Sequence, residues 1–437
     1  MFVVPLVFLT VATGGCEEAL RPIVTTLRGN EPAKATAMLD AIRPRCSASS
    51  SFHQVAGYAS ELNGNFAAAA DELQQAFALN PQLSNQPTAL LWFVQALLET
   101  NQSARLKTFL STRQGHLPPP LLFSLGTLFA KHRDYEQAIA CLRQIPDESA
   151  DDAVYFNLGL AYSHLRRFDD ARKCYFQAID KQPAHVDAYF RVGLDFAASG
   201  ELRKAVPWLL RARDFAPARP DIAYALIEQL LPLQYLDTAG QIAGEALAAN
   251  PRDPLLMVAN GDLLLAQGKT AEAVGSYQSG LTVEPKLAAA LVGLARVDAA
   301  QGNVAEAHKK LLAALSIEPD NPAVNHELGS IELEAGNWAD AYRYLAKAWS
   351  ADASNPMVAL QLARGLQRLK RAGDALHLLL PLAPALRDSS AFHFELEQIY
   401  TQLGRTAEAQ AERGQVAALQ AKSANSLRFE DPKTYVR

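Results

Sequence analysis

The amino-acid sequence predicts an all-α fold, an α-solenoid of stacked helical hairpins, and three regularities carry that prediction. Alanine recurs at 34-residue steps, at Ala171, Ala205, Ala239, Ala273, Ala307, Ala341, Ala375 and Ala409. Glycine keeps the same step at Gly200, Gly268, Gly302, Gly336 and Gly404 (with gaps), and proline keeps it at Pro183, Pro217, Pro251, Pro285 and Pro319. A self-similar period of this length marks a repeat architecture, in which each unit stacks on its neighbours to bury its apolar face. Each column then has its own cause. A small side chain lets two helices approach closely, so the alanines mark where the second helix of a unit crosses the first. A glycine reaches positive φ and ends the first helix in a turn. A proline lacks the amide hydrogen and restricts the residue before it, which stops the second helix.

Taken in order from the N-terminus, residues 1–16 stand apart. "MFVVPLVFLTVATGGC" carries no charge and is apolar from Phe2 to Ala12, too short to span a bilayer. It has the hydrophobic stretch of a secretory signal without the basic start such signals normally carry. Gly15-Cys16 is compatible with lipidation of Cys16 in a bacterial lipoprotein signal, although Thr13 stands where leucine is usual. A buried N-terminal helix and a misassigned start are the other readings. The expectation is export, to the bacterial periplasm or to a membrane held only through this end; the alternative is a cytoplasmic protein. Residues 17–50 read as a divergent helical cap. In 51–117, Gly57, Gly64, Ala69, Leu73, Ala76 and Pro81 give one clear unit, followed by a degenerate hairpin over 85–118. "RQGHLPPPLL", 113–122, is the expected hinge, since helix should not run through Pro118 to Pro120. From 118 to 421 the array is regular: Gly126, Phe129, Ala138 and Leu142 keep the register with one residue deleted, and from 152 it does not slip. Residues 422–437, polar and aperiodic, read as a tail.

Residues 152–185 concentrate the pattern in Tyr155, Leu158, Gly159, Tyr162, Ala171, Tyr175, Ala178 and Pro183. On these residues the chain resembles the tetratricopeptide repeat, a 34-residue helix–turn–helix. The resemblance implies a right-handed superhelix whose first helices line a concave groove. It also implies a non-enzymatic scaffold or adaptor that binds a protein or peptide in that groove. Helical periodicity turns the fourth, seventh, eighth and eleventh positions of a unit to the core, and puts the second, fifth, ninth and twelfth about 130° further round. The fifth position reads Phe123, Phe156, Phe190 and Tyr224 in succession and ends on Phe394. The ninth includes Leu160, Leu194, Arg296 and Arg364, with Arg368 on the same face. The expected partner-binding residues are therefore Phe123, Phe156, Leu160, Phe190, Leu194, Tyr224, Arg296, Arg364 and Arg368. Two readings of the rings stand side by side: a binding strip, or ring edges packed between adjacent first helices. The arginines either meet a partner or form an ordinary solvated face. Some co-chaperones of this fold clamp a C-terminal carboxylate with lysine and asparagine, but here Phe156, Leu160, Phe190 and Leu194 occupy those faces.

Composition narrows the function classes. Lys and Arg total 41 against 46 Asp and Glu, a net charge of −5, which argues against a nucleic-acid surface built on bulk positive charge. The sequence has no GxxxxGKS, no GxSxG elbow and no paired metal histidines; "HELGS" at 326–330 begins like a zinc helix and ends on Ser330. No stretch outside the repeats is long enough for a catalytic domain, so neither an enzyme nor a cofactor nor a metal is expected. The alternatives are an accessory subunit of a bacterial envelope assembly or secretion machine and, behind it, an enzyme working from the groove. Cys141 and Cys174 fall at equivalent positions of successive units, about 8–10 Å apart on packed helices and beyond a disulfide's reach. Cys16 and Cys46 can pair only if Cys16 is not lipidated.

Overall fold

A computed structural model describes residues 15–112, 117–351, 353 and 355–426. Residues 1–14, 113–116 and 427–437 lie outside the described residues, and with them most of the signal reading, part of the expected hinge and most of the tail. Every regular element among the described residues is a helix, and the helices pair into stacked hairpins: the chain is all-α and builds an α-solenoid. None of these helices is long and apolar enough to cross a membrane. The chain divides into two compact units, Met1–Ala188 and Tyr189–Arg437, a division that falls inside the regular array, in the helix Val186–Ala198.

In the first unit, Gly15–Arg28 and Pro32–Cys46 form a hairpin over the segment read as a cap. Leu20, Ile23, Val24 and Leu39 from this hairpin share one apolar cluster with Phe52 of the next. Cys16 and Cys46 are joined as a disulfide with Cα atoms 5.5 Å apart, so the thiol that a lipid would modify is engaged. Cys141 and Cys174 are free and buried. Four hairpins follow. They are Ser50–Leu62 with Phe66–Leu79, Pro87–Glu99 with Ser103–Thr112, Pro119–Lys131 with Tyr135–Leu142, and Asp152–His164 with Phe168–Lys181. The degenerate stretch after residue 85 is thus a complete hairpin. The helix starts within the three prolines rather than running through them. Only Pro118 lies outside; Pro119 and Pro120 open the helix, where a missing amide hydrogen has no intrahelical partner to lose.

In the second unit, Leu202–Phe215 is followed by six hairpins, from Pro220–Leu230 with Leu236–Ala249 to Ser390–Gln402 with Thr406–Ser426. The last helix extends into the segment read as a tail. Side chains of Asp253, Asn321, Asn355 and Ser389 accept from first-turn amides and fix where their helices start. The alanine column sits at the crossings: Ala205, Ala239, Ala273, Ala307, Ala341 and Ala375 are 0% exposed. Gly261 and Gly293 leave room for one buried ring between them, since a Cβ would stand 2.5 Å and 2.4 Å from Tyr277. The turn column needs positive φ in every unit. Glycine supplies it at 200, 268, 302, 336 and 404, while Gln234 and Lys370, in the same column, adopt φ 62° and 61°.

Candidate protein-interaction site

In the first unit the expected groove residues turn toward helix seams. Phe156 packs against Tyr175 and His185, with ring centroids 5.8 Å and 4.8 Å away, and Leu160 beside it is half-buried. Phe123, also half-buried, lines a cavity of about 280 Å³ with Pro119, Pro120, Ile145 and Val154. Ring edges packed between helices describe Phe156 better than an open strip does.

The second unit repeats that behaviour. Phe190 is 9% exposed and lies under the Arg219 guanidinium, 5.5 Å from its ring centre; Leu194 is half-buried. Farther along the fifth-position column, Val258, Val292 and Leu360 are buried. Tyr224 is half-buried, and its hydroxyl donates to Glu228 at 2.9 Å. From there a chain of polar groups runs on. Tyr277 donates to Asp262 at 2.7 Å, Arg296 Nη1 stands 3.8 Å from the same carboxylate, and Arg296 Nε donates to Glu327 at 2.6 Å. Burial pushes the Glu228 and Asp262 carboxyls upward, against the Tyr224 and Tyr277 bonds and the Arg296 charge. Burial likewise works against the charge on Arg296, but Glu327 and Asp262 prevail and hold it above its ordinary value. Arg296, expected to meet a partner, is already matched inside its own fold.

Arg364 is matched too. Its Nε and Nη2 both donate to Oε1 of Glu395, at 3.0 Å and 2.5 Å, while Gln367 Nε2 donates to Oε2 at 3.0 Å. Glu395 is only 3% exposed and lies in the floor of a cleft, while the Arg364 side chain it holds is half exposed in the lining. That cleft, about 510 Å³, lies between Pro356–Arg368 and Ser390–Gln402, with Arg368, Lys370, Phe394, Gln398 and Gln402 on its walls. The Arg368 guanidinium stands 5.4 Å from the centre of the Trp338 ring. With Arg364, Arg368 and Lys370 against Glu395, its lining carries more positive than negative charge.

Phe394 is the residue that the expected set lacked. It ends the same fifth-position column, yet it is 47% exposed where Val258, Val292 and Leu360 are covered. The reason is its place: it sits on the first helix of the last hairpin, and no further described first helix follows to cover the ring. The count of units was the available signal.

Tetratricopeptide repeat models match residues 153–185 and 264–328. A peroxisomal targeting signal receptor of Candida albicans is 28% identical over 102 residues, 23% of this chain and 17% of the relative. The BBSome complex member BBS4 of Bos taurus is 27% identical over 157 residues, 36% of this chain and 29% of the relative. The chain spans under a third of either relative's length. Among solved structures, a tetratricopeptide repeat protein from Parabacteroides merdae aligns with TM-score 0.49 at 17% identity, over 56% of this chain and 97% of that one. The APC/C hetero-tetramer Cut9-Hcn1 aligns with TM-score 0.44 at 16% identity, over 92% and 91% of the two chains.

Proposed function

We propose that this chain, a tetratricopeptide repeat protein, is a non-enzymatic scaffold whose cleft between Pro356–Arg368 and Ser390–Gln402 holds an acidic peptide segment. Tetratricopeptide repeat proteins generally mediate protein–protein interaction, and the fold is generally a non-catalytic scaffold. The observation that carries the finer reading is the exposed Phe394 ring beside Arg368 and Lys370. If a partner covers roughly 100 Å² of that ring, the gross gain is about 2.5 kcal/mol. Association costs of about 4–15 kcal/mol exceed it, so the charges and polar groups of the cleft must supply the remainder. Binding is therefore weak and salt-sensitive. The acids in the Tyr224–Arg296 chain already accept from tyrosine and arginine, the arrangement of a structural network rather than of free catalytic carboxylates.

A phage-displayed random peptide library panned against the full chain tests this reading. The recovered peptides should be rich in Asp and Glu around an apolar residue. Arg368→Glu combined with Phe394→Ala should weaken them at least tenfold with helical content unchanged. Peptides without acidic residues, or peptides held equally well by the variant, would sink the proposal.

Export is the second part of the reading, and the Cys16–Cys46 disulfide supports it, because such bonds persist mainly in oxidising compartments. In the bacterial envelope the scaffold would serve as an accessory subunit of an assembly or secretion machine, and the pairing of Cys16 with Cys46 favours a form that is not lipidated at Cys16. Alkylation of the denatured protein before reduction should label two of the four cysteines. Four labelled cysteines in protein made with its native N-terminus would remove the support.

A further inference from the structure

Two clasps of the same design fasten the first regular hairpin and the last. In the first, His53 Nδ1 stands 2.6 Å from Glu72 Oε2, and Nε2 stands 2.8 Å from the Ser47 carbonyl oxygen. In the last, His393 Nδ1 stands 2.6 Å from Glu412 Oε2, and Nε2 stands 2.9 Å from the Arg387 carbonyl oxygen. Histidine, glutamate and carbonyl donor are each displaced by ten 34-residue periods (393 − 53, 412 − 72 and 387 − 47 all give 340). The frame repeats as well. Ser49 and Ser389 accept from the amides of Phe52 and Phe392, and each phenylalanine stands edge-on to its histidine. In sequence this is Ser-Ser-x-Phe-His at 49–53 and 389–393, and the column between Tyr155 and Ala359 holds no histidine.

A carbonyl accepts and an ionised carboxylate accepts, so a ring between them makes both bonds only with a proton on each nitrogen. Loss of one proton leaves a lone pair facing one of the two acceptors. We propose that the His393–Glu412 clasp is a proton-controlled fastening of the last hairpin, closed when the ring holds both protons and loosened when it loses one. Resting on the cleft reading above, the consequence is regulation of the cleft, because Ser390–Gln402 carries His393 and, next to it, Phe394, Gln398 and Gln402.

The charged groups turned toward the His393 ring are Glu412 from the following helix and Asp388 from the preceding turn; the Arg387 guanidinium stands 3.6 Å from Asp388. On its own helix, Glu395 and Glu397 are engaged by Arg364 and Arg413. Burial lowers the basicity of the ring, but the bonds to Glu412 and the Arg387 carbonyl, with the charges of Glu412 and Asp388, outweigh it and raise the His393 value. The stabilisation is therefore complete below about pH 6.5 and is lost as pH climbs through the raised value. The first clasp differs in one respect. Arg43 Nη1 donates to Glu72 Oε1 at 2.7 Å, so that carboxylate keeps a cation whatever the ring holds.

Hydrogen exchange of Ser390–Gln402 and Thr406–Ser426 in the full chain, from pH 6 to pH 9, tests the fastening without any ligand. With the intrinsic base catalysis divided out, the local opening constant should rise about tenfold per pH unit above about pH 6.5 and then level off. Glu412→Gln, which keeps an acceptor and removes the charge, should leave the onset near pH 6.5 but make the rise level off at lower pH and reach a smaller total. His393→Gln should abolish it. An opening constant independent of pH in the unaltered chain overturns the proposal even if the histidine variant fails to fold. Library peptides captured at pH 6 should be lost at pH 8.5. Unchanged capture, alongside the expected exchange, overturns the link to the cleft and leaves the fastening standing.

Discussion

Replacing Glu61 with glutamine should stabilise the first unit at neutral pH and do nothing in acid. Glu61 lies in the last turn of the helix Ser50–Leu62, and its Oε2 is buried with no hydrogen-bond partner. Burial first, and the charge of Glu99 second, push its carboxyl from 4.5 up to about 8. A carboxyl raised in this way is held neutral by the fold and ionises when the chain opens. Its contribution is complete below about pH 4.5 and is lost as pH rises toward 8. At pH 7 about 2.5 units of that interval have been crossed, which at about 1.36 kcal/mol per unit is near 3 kcal/mol. Glutamine keeps the shape, carries no charge at any pH and removes the loss. An array opens piecewise, so the readout must be local. Hydrogen exchange of Ser50–Leu62 should slow by about three hundredfold at pH 7 in Glu61→Gln and stay unchanged at pH 4.5. An equal change at both pH values, or faster exchange at pH 7, would refute the reasoning.

Two further substitutions test the packing. Ala239→Leu or Ala273→Leu places a branched side chain at a crossing with no exposed surface, and each should cost about 1–3 kcal/mol in a thermal or denaturant melt. Gly293→Ala sets a Cβ 2.4 Å from the Tyr277 ring, which Gly261 blocks on the other side. It should also cost about 1–3 kcal/mol, more than Tyr277→Phe, which removes only the 2.7 Å bond to Asp262. Melts unmoved by these changes would contradict the register.

The hairpins were legible because close packing demands a residue size at a fixed spacing, and size is written in the sequence. Ala239 and Gly261 declare themselves. The turn column was legible only where glycine stood in it: Arg166, Gln234 and Lys370 adopt the same left-handed φ, and a search for glycine passes them by. The surface was harder to read because exposure depends on neighbours outside the unit. Phe190 and Phe394 share a column, yet Arg219 covers one ring and nothing described covers the other. Arg364 reads as a free cation until Glu395, 31 residues on, is seen to hold it. The paired clasps were visible as a repeated Ser-Ser-x-Phe-His, but apolar columns do not search for a motif that occurs only twice.

Specific function in a repeat array must come from departures from the repeat, since an unbroken repeat presents the same face at every unit. The departures in the second unit converge. Phe394 is exposed because no further first helix among the described residues follows to cover it. His393, one residue away, occupies a column without histidine from Tyr155 to Ala359. Lys370 stands where five other units of the regular array place glycine, and a side chain at positive φ costs roughly 1 kcal/mol. Two other non-glycine turn residues have local contacts: Arg166 lies 5.5 Å over the Phe168 ring, and Gln234 donates to the Leu231 carbonyl at 3.4 Å. Lys370 instead lines the cleft. A strained turn that adds a cation beside the exposed ring is what an acidic, weakly held segment needs. Lys370→Gly should therefore relieve the turn while loosening acidic library peptides severalfold, a gain in stability coupled to a loss in binding. If melts and binding both improve, Lys370 has no part in the site and the cleft reading loses its third cation.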